Sequence, residues 1–228
     1  MKITFLGTGA GSTSGSRRFK SGILVEGKEG KLLLDFGSGV NMRVEDLNVY
    51  PDSAFFTHLH IDHFAGVFDH LVRRKIDGIG DLIIHSPPGF SDILLQFQRN
   101  NEISANLEES RRPEGKVGDL EVYSVEACHK IYAVSYVVTD GKRRILYTGD
   151  TSEPCEEVDK EAINVDLVIH EASCLEDCRK WGHTSVKEVI KMFKNPVLTH
   201  VPAQIEKEVE HVVGDKGLLA KDGLTIYV

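Results

Sequence analysis

A chain of 228 residues with 41% hydrophobic residues can bury one sizeable core, and no composition break asks for a second domain, so residues 1–228 are read as one domain. A formal net charge of −8 and a pI near 5.7 argue against broad electrostatic capture of polyanions, which disfavours nucleic acid as a partner. No apolar run approaches membrane-spanning length, and the N-terminal run broken by Gly7 is too short for a signal-peptide core, so a soluble, cytoplasmic protein with no membrane partner is expected.

In chain order, Ile3–Leu6 reads as a strand running into Gly7-Thr8-Gly9-Ala10-Gly11-Ser12. That loop lacks a Gly-Lys-Ser/Thr ending and no helical pattern follows at dinucleotide-fold spacing, which argues against a nucleotide cradle. Residues 22–26 and 31–35 form a predicted hairpin around Gly27-Lys28-Glu29-Gly30. Asp35 closes it, where a carboxylate can cap the next turn or orient a metal-ligating histidine. A short helix over 42–47 precedes a buried strand over 54–56.

That strand delivers Phe56-Thr57-His58-Leu59-His60-Ile61-Asp62-His63, which packs three imidazoles and a carboxylate into the six positions from 58 to 63. In an extended segment His58 and His60 share a face. If the chain turns into a helix at Asp62, that carboxylate and His63 aim at a second point, so the stretch reads as ligands for two metal ions. The bland alternative, a polar loop with unrelated histidines, is far weaker for so compact a cluster.

Beyond it the spacing predicts a helix over 66–75 with Val67, Phe68, Leu71 and Val72 facing the core, and His70 on that helix is read as a surface histidine. A strand over 82–85, the rigid turn Ser86-Pro87-Pro88-Gly89 and a helix over 91–98 follow. The charged run 108–116 is read as a linker or loop with no core pattern. Strands over 120–127 and 133–138 flank Cys128-His129-Lys130, which sets His129 at a strand end. Strand 144–147 leads through Thr148-Gly149 to Asp150, whose two oxygens can bridge two cations. Strand 165–169 delivers His170 and Glu171. A helix over 185–193 begins at Thr184 or Ser185, with Glu188 placed for a capping box. A buried strand over 196–199 ends in His200, and helix 204–213 and strand 224–228 close the chain. Pattern alone gives mixed α and β.

Arg17-Arg18, Arg73-Arg74-Lys75, Arg111-Arg112 and Lys142-Arg143-Arg144 are local basic clusters, the kind that mostly serve as solvated turns and helix faces. Cys128, Cys155, Cys174 and Cys178 do not make a disulfide framework in a chain this long, so reduced thiols are expected. Cys174 and Cys178 would share a helix face, without a second thiol pair at zinc-finger spacing. Glutamine occurs only at Gln96, Gln98 and Gln204, a faint hint of a heat-adapted source.

His-x-His-x-Asp-His at His58, His60, Asp62 and His63 resembles the signature of the metallo-β-lactamase superfamily. The resemblance extends to Phe5–Gly11, Tyr147–Asp150, His170–Ser173, His183-Thr184-Ser185 and Leu198–His200, and is nearest the ribonuclease Z and phosphodiesterase branch. It implies an α+β fold, the four-layer αββα sandwich of that family. It makes Asp35 a support rather than a ligand.

The expected site is dinuclear. One metal takes His58, His60 and His129, the other takes Asp62, His63 and His200, and Asp150 bridges them, with zinc the best match and manganese or iron as alternatives. Such a pair would hold a bridging hydroxide at neutral pH and clamp phosphoryl oxygens. His183, matching the family's His-Ser/Thr-Ser/Thr loop, is the candidate acid for the leaving group, with Glu171 holding its tautomer. Asp62 is a further proton acceptor, and His170 is read as structural.

The first-loop Pro-x-Lys-x-Arg-Asn of ribonuclease Z aligns with 13–18, where only Arg17 matches. Ser38 replaces a Glu, and the interval from His129 to Asp150 is too short for that family's tRNA-binding arm. A phosphodiesterase acting on a small phosphodiester or nucleotide is therefore the expected function. The alternatives are tRNA 3′ processing, an ester, thioester or lactam hydrolase on the same site, and a non-catalytic metal-binding module.

Overall fold

The structure is a computed structural model that describes residues 1–11 and 18–228. The first-loop comparison at 13–17 and the Arg17 half of one basic cluster therefore lie outside the described residues. The strands are β1 (Lys2–Gly7), β2 (Gly22–Glu26), β3 (Lys31–Leu34), β4 (Ser53–Phe55), β5 (Ile83–Ser86), β6 (Asn106–Glu109), β7 (Gly115–Val117), β8 (Leu120–Ala127), β9 (Ala133–Thr139), β10 (Arg144–Tyr147), β11 (Leu167–Glu171), β12 (Val197–Thr199), β13 (Leu218–Leu219) and β14 (Thr225–Tyr227). The helices are α1 (Val40–Asp46), α2 (Ile61–Phe64), α3 (Val67–Ile76), α4 (Phe90–Asn101), α5 (Glu156–Ala162), α6 (Val186–Met192) and α7 (Glu206–Val213).

Two seven-stranded sheets form, ordered β14-β1-β2-β3-β4-β5-β6 and β13-β12-β11-β10-β9-β8-β7. Each is antiparallel on one side and parallel on the other, with β3 to β6 parallel in the first and β10 to β13 parallel in the second.

The period-2 alternation of apolar residues builds the layers. Ile23 and Val25 on β2, Leu32 and Leu34 on β3, Val134, Tyr136 and Val138 on β9, and Ile145 and Tyr147 on β10 all enter the core between the sheets. Their alternates Leu24 and Leu33 pack under α1, α3 and α4 with Val40, Phe68 and Leu94. On the other sheet Val137 and Leu146 meet Val158 of α5, while Leu198 meets Val186 and Val189 of α6 and Val209 of α7. This is the αββα sandwich. None of the described helices is long and apolar enough to cross a membrane.

Ser185 caps α6 through a reciprocal capping box with Glu188, as the spacing predicts. Three expectations need correction. The run 108–116 is not a plain loop: its start lies in β6 and its end in β7, both edge strands whose mostly exposed residues carry no apolar alternation to read. His70 is not a surface residue. It is 0% exposed on α3, with its ring between Phe36 and Tyr50.

The cysteines are not free thiols either: Cys128 pairs with Cys155, and Cys174 with Cys178, at Cα separations of 5.7 and 6.3 Å. Spacing along the chain could not show that the β8 end and the α5 start are neighbours in space. Cys174 and Cys178 lie in a loop rather than on a helix.

Candidate metal centre

The carboxyl ends of several strands converge on one point, where loops can present ligands from a rigid scaffold. His58 and His60 follow β4, His129 follows β8, Asp150 follows β10 and His200 follows β12. α2 then turns Asp62 and His63 back toward the same place. The two sheets are tied beside the site, because the Val134 amide donates to the Thr57 carbonyl at 2.9 Å and the Tyr136 hydroxyl donates to the Phe56 carbonyl at 2.7 Å.

Two groups of donor atoms result. His58, His60, His129 and Asp150 form one, and Asp62, His63 and His200 the other, with the donor atoms of each within 4.8 Å of one another. His58 Nε2 and His129 Nε2 lie 3.0 and 3.1 Å from His60 Nδ1. Asp150 Oδ2 stands between the groups, 3.5 Å from His58 Nε2 and 3.4 Å from His63 Nε2. His200 Nε2 is 3.3 Å from both Asp62 Oδ2 and His63 Nε2. Asp150 Oδ1 is buried and takes no hydrogen bond among the described residues. Converging imidazole nitrogens and an orphaned carboxylate oxygen are what a divalent cation satisfies.

Hydrogen bonds on the far side of the His129, His63 and His58 rings fix which nitrogen faces the centre. His129 Nδ1–H donates to the Gly182 carbonyl at 2.7 Å, and His63 Nδ1–H donates to Asp35 Oδ2 at 2.7 Å. His58 Nδ1 lies 3.0 Å from Thr57 Oγ1, which in turn donates to Asp35. Asp35 accepts from the Thr57 amide and the Tyr147 hydroxyl as well, both at 2.8 Å, which is the supporting role expected of it.

Two glycines are demanded here. Gly149 has φ +57° and a Cβ on it would lie 2.7 Å from the Thr57 side chain, while at Gly182, with φ +81°, a Cβ would lie 2.9 Å from His129 Nδ1.

Burial, with the charge of His63, pushes His58 well below its ordinary value, and burial lowers His60 and His129 too. Those rings are neutral, as ligands must be. Burial alone would raise Asp62 and Asp150, but His200 and His63 outweigh it and hold both carboxyls ionised. For His63 the balance reverses, since burial lowers it and the carboxylates of Asp150 and Asp35 raise it further.

His183 sits at the edge, its side chain 21% exposed. Its Nδ1–H donates to Glu171 Oε1 at 3.0 Å, which leaves Nε2 for the cavity. Burial lowers its pKa, but the hydrogen bond and charge of Glu171 lift it to about 9. His183 also groups with Asp150 and His200 at ligand-like separations. Glu171 is buried and accepts from the amides of Thr151, Ser173 and Thr184 as well. His170 stays in β11, away from the cavity, with Nδ1–H donating to the Glu171 carbonyl.

Sequence reasoning gave no role to Ser173, whose hydroxyl donates to Glu171 Oε2 at 2.6 Å and lies 2.9 Å from His200 Nδ1. It also missed Trp181 and the Cys174–Cys178 bridge, which wall the cavity over the centre together with Ala10 and Pro202. The only signal was their position just before His183.

The chain matches the β-lactamase superfamily domain over residues 41–196. It is 26% identical over 270 residues to the ribonuclease Z of Pyrobaculum islandicum, covering 92% of this chain and 90% of that protein. The crystal structure of human tRNase Z, short form, superposes with a TM-score of 0.82 at 21% identity, covering 100% of this chain and 99% of that one. A diphosphatase of the PhnP family superposes with a TM-score of 0.82 at 16% identity, covering 100% and 97%.

Likeness to proteins named as ribonucleases corrects the expectation that nucleic acid is disfavoured and a small molecule favoured. Net charge misled because it sums the whole surface, whereas a nucleic acid touches one face. With its αββα fold and its convergent His and Asp donors, the chain belongs to the β-lactamase superfamily and is a metal-dependent hydrolase.

Proposed function

We propose that the chain is a metal-dependent phosphodiesterase that cuts RNA, an endoribonuclease of the ribonuclease Z kind acting at tRNA 3′ ends. The observation that carries this reading is likeness to ribonuclease Z over 92% of the chain, joined to two donor groups with Asp150 Oδ2 standing between them. His58, His60 and His129 would hold one divalent ion, Asp62, His63 and His200 the other, and Asp150 would bridge them, with zinc the best match to these donors. Bound there, the ions supply Lewis acidity that activates water and neutralises charge on the phosphoryl oxygens.

The protein's own groups do the rest. His183, with Nδ1 committed to Glu171, gives the Nε2 proton to the departing ribose oxygen. Asp62, ionised at the cavity edge, takes a proton from the attacking water.

β9 and β10 are joined directly through a turn at 140–143, and the basic residues Arg18, Arg73, Arg112, Arg143 and Arg144 all pair with carboxylates. Few phosphate contacts then hold the substrate, so its affinity should fall only shallowly with salt. The test is endonucleolytic cutting of a 3′-extended tRNA precursor by metal-loaded protein across a salt series. Cleavage at the acceptor end supports the reading. An untouched precursor beside rapid hydrolysis of a free dinucleotide would overturn it.

A further inference from the structure

Trp181 is the single tryptophan of the chain. Large aromatic side chains are normally covered, yet its residue surface is 58% exposed. It lines the same cavity, about 410 Å³, as His60, Asp62, Asp150, His183 and His200.

Its backbone is anchored on both sides. The Trp181 amide donates to the Cys178 carbonyl and the Gly182 amide to the Arg179 carbonyl, each at 2.9 Å. The next carbonyl, that of Gly182, receives His129 Nδ1–H. The Cys174–Cys178 bridge closes the loop that leads into this turn, and Cys178 is buried beneath it. The indole is thus an exposed apolar plate on a fixed backbone next to the donor atoms. Lys180 Nζ lies 4.0 Å from its centroid and sets a positive charge on one face.

We propose that Trp181 is the specificity-determining platform on which the base of a nucleotide flanking the cut phosphate stacks. This rests on the phosphodiesterase reading above and deepens it to substrates that carry a nucleobase beside the scissile bond. Stacking tolerates any base, because every base has a π-face. The site then selects for a base at that position without reading its identity, and Lys180 adds attraction to the neighbouring phosphate. An acidic chain with few unpaired arginines among the described residues gains affinity this way.

With one tryptophan beside six tyrosines, fluorescence excited at the red edge of the absorption band, beyond tyrosine, reports on this ring alone. A short single-stranded RNA mixed with the holoenzyme should quench it before turnover in a stopped-flow record, and the same RNA with abasic residues should not. Trp181→Ala should raise KM for a precursor tRNA by about tenfold to a hundredfold at unchanged kcat. Trp181→Phe should restore most of that loss, and a precursor abasic on both sides of the cut should be indifferent to either change. Equal KM for wild type and Trp181→Ala on a precursor that both cut, or quenching as strong with abasic RNA, would overturn the platform and leave the phosphodiesterase reading standing. Quenching by base-bearing RNA without cleavage of any phosphodiester would sink the functional reading instead.

Discussion

Asp35 and His63 are both fully buried, and Nδ1–H of the histidine donates to Oδ2 of the carboxylate at 2.7 Å. Because Asp35 also holds Thr57, which sits 3.0 Å from His58 Nδ1, one carboxylate orients a histidine in each donor group. It does so from a left-handed backbone position, φ 59°, that asparagine and aspartate tolerate best. Asp35→Ala should therefore weaken metal binding about 10- to 100-fold, the usual effect of losing such an outer partner. Competition against a chromophoric chelator measures this. Affinity equal to wild type would mean that the rings are held by packing alone.

If His183 is the acid rather than a metal ligand, His183→Ala should lower kcat by about 10²- to 10⁴-fold on substrates with an alkoxide leaving group. It should do far less on a p-nitrophenyl ester, and metal content should stay the same. Protonated His183 is the active form, so the rate should fall as pH rises through its pKa. Bound cations repel the imidazolium, which puts that alkaline limb at or below about 9, the value in their absence. A pH–rate profile of the variant should lack the limb. Loss of one equivalent of metal from His183→Ala would assign the residue to the Asp150 and His200 group instead.

The convergence of the candidate donors was legible because they either crowd into one short stretch or stand at the ends of apolar strands, so local pattern implies tertiary place. Asp150 could be read after β10, and His200 after β12, without knowing which strands are neighbours. What stayed hidden is set by packing between distant elements. α5, whose sequence Glu156-Glu157-Val158-Asp159-Lys160-Glu161-Ala162 buries only Val158, has no apolar stripe to see. β6, Asn106-Leu107-Glu108-Glu109, turns only Leu107 toward the core. Cys128 and Cys155 meet because β8 packs against α5, and His70 lies under Tyr50 because α1 leads the chain back across α3. Trp181 was overlooked because a lone aromatic in a polar loop carries no periodicity.

The Cys128–Cys155 bridge ties the segment bearing His129 to the start of α5 across 27 positions. Closing a loop of that length constrains the unfolded chain by about 3–4 kcal/mol. The Cys128→Ser/Cys155→Ser protein should accordingly melt roughly 10 °C lower than wild type. Differential scanning calorimetry with and without a thiol reductant checks it, and alkylation followed by mass measurement counts the bridges. Four freely labelled thiols in unreduced native protein would refute both pairings.

His70 gives the fold a stability that depends on acidity. Its two ring nitrogens have no hydrogen-bond partner among the described residues. Burial, helped by the Arg74 charge, lowers its pKa to about 4. The unfolded chain, with an ordinary value near 6.5, takes up the proton first. Stability from this residue is therefore complete above about pH 6.5 and drains away as pH falls toward 4, by roughly 3 kcal/mol at most. About 2 kcal/mol of that should be gone at pH 5. Other histidines take up protons in the unfolded chain over the same range, so the informative quantity is a difference. Urea melts of wild type and His70→Leu should diverge between pH 7.5 and pH 5, with the leucine protein losing less. Parallel pH dependences would show that water reaches the imidazole and that its burial costs nothing.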